Sequence, residues 1–218
     1  MRIRRLILAL LAGATLVAPL GALSACSSNT PPSATGSPTA APVASFGQAT
    51  SAKYQFTIRY PLRWISAVHA AKPGDKVVTT LLSWSWADPK GATVGGGLGY
   101  VDTLHVSVYA MSKPVGPNDV KKHRAAFVAI TASMLKGLPG LKITDPIKPI
   151  ALNGVRGFQV TYSYTTQGTQ IGAMSYLLPK GDYGYWVTGQ SSAATWSSAW
   201  SKLAPAMASF TIGPVKGS

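Results

Sequence analysis

Six aspartates, three histidines and one cysteine carry most of the reactive chemistry in this 218-residue chain, which contains no glutamate. Acid/base cleavage of glycans generally uses a pair of carboxylates. Here Asp75, Asp88, Asp102, Asp119, Asp145 and Asp182 are scattered, mostly in segments that read as turns or caps. A serine nucleophile on a strand-to-helix elbow would announce itself as Gly-x-Ser-x-Gly, and that pattern is missing. His69, His105 and His123 lie far apart and not at metal-ligand spacing; they read as loop, strand and helix-surface residues. Gly95 to Gly99 is glycine-rich but lacks the Gly-Lys-Ser/Thr ending of a phosphate cradle and precedes no helix, so it reads as a hairpin tip. The expectation is a non-enzymatic protein without metal or cofactor.

Two other groups suggest binding. Lys121, Lys122, His123 and Arg124 crowd what reads as the first turn of a helix, where the macrodipole already favours anions and acidic side chains are the usual occupants. Lys121, Lys122 and Arg124 are therefore candidate anion-binding residues. Trp84 and Trp86 lie two apart on a predicted strand and share a side, with Tyr162, Tyr164, Tyr176, Tyr183 and Tyr185 on neighbouring predicted strands. Trp84 and Trp86 are a candidate aromatic ligand surface for stacking on sugars or lining an acyl groove. Core packing under helices is the competing account of the same residues.

The lone cysteine closes a leader. Arg2, Arg4 and Arg5 precede an apolar run from Leu6 to Val17, and Leu23-Ser24-Ala25-Cys26 follows. That layout is a signal peptide spanning 1–25, too short for a spanning helix, and its last four residues match the bacterial lipobox. In that motif the Cys26 thiol receives a diacylglyceryl group and becomes the first mature residue. Each buried methylene contributes about 0.8 kcal/mol, so two or three acyl chains hold firmly. The expected location is the outer face of the bacterial cytoplasmic membrane. Removing the three leader arginines from 20 Lys+Arg leaves 17 bases against 6 acids, a formal +11. That excess favours anionic headgroups or wall polymers, and an exported chain does not meet nucleic acid.

The elements that must position these residues follow from patterning. Residues 26–50 are rich in Ser, Thr, Pro and Ala and carry no charge, which predicts a flexible spacer. The folded domain is expected over 51–213, with a tail at 214–218. Alternation predicts strands at Tyr54–Tyr60, Val77–Trp86 and Thr103–Met111, with a loop over Ala87–Val101. A helix is predicted from Val120 to Lys136, capped by Asn118-Asp119. Leu141–Leu152, interrupted by Pro146 and Pro149, reads as an edge strand turning at Asn153-Gly154 into Val155–Thr165. Strands near Thr169–Leu178 and Tyr183–Gly189 are joined by Pro179-Lys180-Gly181-Asp182. A last helix aligns Trp196, Trp200, Leu203 and Met207, with Pro205 opposite, before Phe210-Thr211-Ile212. The fold class is α+β, a mainly antiparallel sheet flanked by helices.

Tyr60-Pro61-Leu62-Arg63-Trp64 after an alternating aromatic strand, and a tryptophan-bearing helix leading into Ala208-Ser209-Phe210, resemble the opening and close of PsbP-like domains. With the lipobox and spacer, the whole is similar to actinobacterial LpqN-type lipoproteins. The resemblance covers about Tyr54 to Ile212 and implies an α/β/α sandwich working in binding or assembly, without shared catalytic residues.

The functional expectation is a membrane-anchored envelope lipoprotein that binds an envelope protein as an adaptor, or else carries an anionic lipid or wall glycan. An adaptor should expose a contiguous apolar patch without a deep cavity. A lipid or glycan binder should show a cleft of a few hundred cubic ångströms lined by aromatics.

Overall fold

A computed structural model describes residues 45–70, 80–90, 93–94, 99–116 and 119–213. Cys26, the leader, most of the spacer, Gly95–Leu98 and the 214–218 tail lie outside the described residues. The strands are β1 (Phe46–Ser51), β2 (Phe56–Pro61), β3 (Ile65–Ala70), β4 (Thr80–Ala87), β5 (Thr93–Val94), β6 (Gly99–Tyr100), β7 (Thr103–Val115), β8 (Lys142–Leu152), β9 (Val155–Thr166), β10 (Thr169–Ser192) and β11 (Thr211–Ile212). The helices are α1 (Arg124–Leu135) and α2 (Trp196–Ala208).

The large sheet runs β3-β4-β7-β10-β9-β8, and a smaller one runs β1-β2-β11. All the pairings are antiparallel. β10 is extended throughout yet folds back on itself. Ser175 and Thr188, thirteen residues apart, bring their hydroxyls within 2.7 Å, whereas a straight strand would separate them by about 40 Å. Ala193 N–H also donates to the Gln170 carbonyl at 2.8 Å. One arm pairs with β9 through Leu177 and the other with β7 from Gly181, so the reversal falls at the expected Pro179–Asp182 turn, where Gly181 has φ 59°. Asn153-Gly154 makes the expected hairpin, both residues at positive φ (47° and 81°). β8 is an edge strand, as its prolines require, with its register irregular between Asp145 and Lys148.

The alternation of strand side chains splits the interior in two. Leu104, Val106 and Val108 of β7 face α2 and the small sheet, where Phe56, Ile58, Leu203 and Met207 complete one core. Tyr109 of β7 turns the other way and joins Phe127 and Leu135 of α1, with Phe158, Val160 and Trp186, in a second. Full burial of a side chain such as Leu203 contributes about 2 kcal/mol.

Several expectations shift. β1 begins at Phe46, inside the stretch read as spacer, because Phe46 to Ser51 pair residue by residue with Pro61 to Phe56. β3 was not expected; its side chains are largely exposed, so burial leaves no alternating signature. The Ala87–Val101 loop holds a short hairpin, with Thr93 opposite Tyr100. On α2 the buried arc is Ala199, Leu203, Ala206 and Met207. Trp196 and Trp200 flank it, stacked at 5.0 Å, with Trp196 lying over Gly172. Pro205 stays exposed and the helix runs through it.

Candidate functional site

The expected anion cluster is rearranged. α1 starts at Arg124 rather than Val120, and its N-cap position is His123, which makes no side-chain cap; Asp119 does not serve, and Asn118 lies outside the described residues. The Asp119 carboxylate instead accepts from Lys122 Nζ at 3.2 Å, so Lys122 is already paired, and Lys121 sits in the turn ahead of the helix. Arg124, the first helical residue, is exposed and lines none of the cavities described below.

Lys121 does enter a site, with partners the linear pattern does not show. It lines a cavity of about 380 Å³ with Val120, Pro149, Ile150, Arg156 and Phe158. Arg156 also lines an adjoining cavity of about 400 Å³, with Lys180 and walls that include Pro114, Val115, Val155 and Pro179. Lys180 donates to the Ile212 carbonyl at 2.6 Å, which leaves two of its three N–H groups uncommitted by that bond. The groove forms because the antiparallel order places the Asn153-Gly154 turn, the β10 reversal and the end of β7 at one end of the sheet. Each of the first two turns carries a cation beside a glycine, Arg156 and Lys180. That juxtaposition is the signal by which sequence could have found them.

Trp84 and Trp86 are not a ligand surface. Trp86 is wholly buried, stacked between Tyr60 at 5.4 Å and Trp84 at 5.1 Å, and Trp84 also packs edge-on to Phe56 at 6.3 Å. The small sheet covers the face of β4 on which both tryptophans stand, and core packing consumes them. Neither indole N–H has an acceptor, so dispersion and ring stacking must outweigh two unpaired donors.

Beside that second core, the α1 face of the sheet carries a polar patch. Pairing sets Ser85, His105, Thr188 and Ser175 in one row across the strands, with Ser83 and Ser107 in the next. His105 Nε2 lies 2.8 Å from Ser107 Oγ and 3.2 Å from Ser83 Oγ. Burial, with a smaller contribution from His69, lowers the His105 pKa to about 4, so the ring is neutral at pH 7. Tyr162 links to Ser175 at 3.3 Å, and burial pushes its pKa up to about 12. Tyr164 donates to Gln190 at 3.0 Å. Over this floor, beside the C-terminal end of α1, lies a cavity of about 290 Å³.

Among the described residues the carboxylate most deeply placed is Asp102, which stands elsewhere. Its Oδ1 accepts from Ser191 at 2.6 Å, and the hydroxyls of Ser191 and Ser192 meet Thr195 just before α2. An anion there complements the positive end of that helix. Among the described residues no aspartate carboxylate hydrogen-bonds a histidine ring, and no cluster of metal-ligating side chains occurs.

No protein-family model matches the sequence, and no curated protein matches it either. Among solved structures, cyanobacterial PsbP (CyanoP) from Synechocystis superposes with a TM-score of 0.54 over 82% of this chain and 99% of that one, at 12% identity. The fold is PsbP-like. LpqN, involved in cell envelope biogenesis of Mycobacterium tuberculosis, aligns over 78% of this chain and 92% of its own at 13% identity, with a TM-score of 0.43. The PsbP-like sheet accounts for the hairpin ends that gather Arg156 and Lys180, and none of the groove's residues was legible from the PsbP-like motifs, which lie in β2 and α2.

Proposed function

We propose that this chain is a non-enzymatic lipoprotein of the bacterial envelope, tethered through Cys26, whose domain holds an anionic amphiphile at the groove around Arg156. The observation that carries the reading is the pair of adjoining cavities that share Arg156, with Lys121 at one and Lys180 at the other, over proline and valine walls. Cations beside an apolar wall suit a phosphate-bearing headgroup attached to hydrocarbon. Asp119 and Asp182 are near in sequence but line neither cavity. Among the described residues no helix is long and apolar enough to cross a membrane.

Co-sedimentation with phosphatidylglycerol vesicles, and separately with an insoluble glycerol-phosphate wall polymer, tests this. Lys121→Ala/Arg156→Ala should lose binding roughly tenfold, while the charge-matched control Lys136→Ala/Lys142→Ala should lose far less. Equal losses would mean that net charge, not the groove, does the binding. The arm that responds separates lipid from polymer.

A second reading, an adaptor for an envelope protein, is favoured by β3. It ends the large sheet, and Ile65 and Val68 are 51% and 56% exposed on it. An edge strand of that kind can accept a partner's strand.

A further inference from the structure

We propose that the cavity between the large sheet and the C-terminal end of α1 is a binding site for an uncharged, polyhydroxylated ring, of the size of a single sugar or cyclitol. It goes beyond the cationic groove and does not depend on it.

The lining carries no Lys, Arg or Asp, although the other three cavities each carry at least two cations. A charged ligand would be desolvated there without a counter-charge, at a cost of several kcal/mol. An apolar ligand would make no use of the further donor and acceptor capacity of the hydroxyls beneath it, each of which can donate one hydrogen bond and accept two. Ser107, Thr188 and Gln190 present groups that both donate and accept, as each hydroxyl of a polyol does. Tyr164 and Trp186 supply flat surface for the C–H face of a ring. His105, in the midst of these, offers a ring nitrogen already within hydrogen-bond distance of two serines and able to exchange one for a ligand hydroxyl.

Packing alone does not call for this layer. The opposite face of the same strands is filled by Leu104, Val106, Val108 and Val187, all fully buried. Buried polar side chains cost stability unless paired, and here Ser107 is held by its bond to His105 and Thr188 by its bond to Ser175. A few polar groups converging at the edge of an apolar core, beside an open cavity, are the arrangement of a ligand site.

The test uses the full-length protein in a zwitterionic detergent, labelled with ¹⁵N-histidine. Only three histidines are present, so the ring signals of His69, His105 and His123 can be followed separately. The probes are glucose, mannose, N-acetylglucosamine and myo-inositol, with inorganic phosphate as the charged control, each titrated to about 50 mM. The expected result is a saturable shift of the His105 ring signals with at least one neutral probe, none with phosphate, and affinity reduced roughly five- to tenfold by Gln190→Ala and by Tyr164→Ala. Both positions are partly exposed, and an unchanged amide spectrum establishes that each variant folds. Failure of every neutral probe to move His105, or a shift that Gln190→Ala leaves untouched, overturns the proposal.

Discussion

The two faces of the large sheet are made from the same strands but solve different problems. Against α2 and the small sheet the side chains are aliphatic and aromatic, with Phe56, Ile58, Leu104, Val106, Val108, Val187 and Leu203 fully buried. Against α1 the sheet mixes an apolar cluster that includes Tyr109, Phe158, Val160 and Trp186 with the polar side chains of His105, Ser107, Ser175 and Thr188. The first face secures the fold. The second holds polar groups that a purely structural core would omit, and both the neutral cavity and one end of the cationic groove open beside it.

The contrast can be broken most severely on the dry face. Phe56→Ala, at a ring that touches Trp84, Tyr185 and Phe210, should cost about 3–5 kcal/mol in urea unfolding. An equal cost for Ser107→Ala on the other face would erase the distinction.

Next in size is a pH effect confined to the polar face. His105 has a folded pKa of about 4 against an ordinary 6.5, so between those values the unfolded chain binds the additional proton. Stability contributed by the neutral ring is therefore whole above pH 6.5 and falls as the pH drops toward 4. The decline should reach on the order of 3 kcal/mol, and His105→Gln should flatten it. A slope unchanged in His105→Gln would assign the acid sensitivity to other groups.

Smaller still, Arg156→Ala should leave unfolding within about 0.5 kcal/mol of wild type, because the side chain is exposed, while weakening retention on anionic vesicles. Opposite in sign is Tyr109→Phe. The buried phenol has no hydrogen-bond partner, so deleting its hydroxyl should be neutral or stabilise by up to about 1 kcal/mol in the same urea experiment.

Strand alternation and turn chemistry made much of the fold legible. The runs through β2, β7 and β9, the Asn153-Gly154 turn and the Pro179–Asp182 reversal are local patterns, and each is realised. β3 was hidden because an exposed edge strand needs no buried alternation. The start of α1 was misplaced because Asp119 spends its carboxylate on Lys122 instead of on a helix N–H. Lys121 was readable as a basic residue, but its pairing with Arg156 depends on which hairpin ends meet, a property of sheet order rather than of spacing. Trp84 and Trp86 share a side as expected; which side is covered depends on β1 and β2 folding over them.

Amide chemical-shift mapping during titration with a soluble, short-chain phosphatidylglycerol tests the central claim most directly. The account predicts perturbations concentrated at Val120–Lys121, Gly154–Gly157 and Lys180–Gly181, abolished by Lys121→Ala/Arg156→Ala. Shifts gathered along Ile65–Ala70, or spread evenly over every exposed lysine, would contradict it.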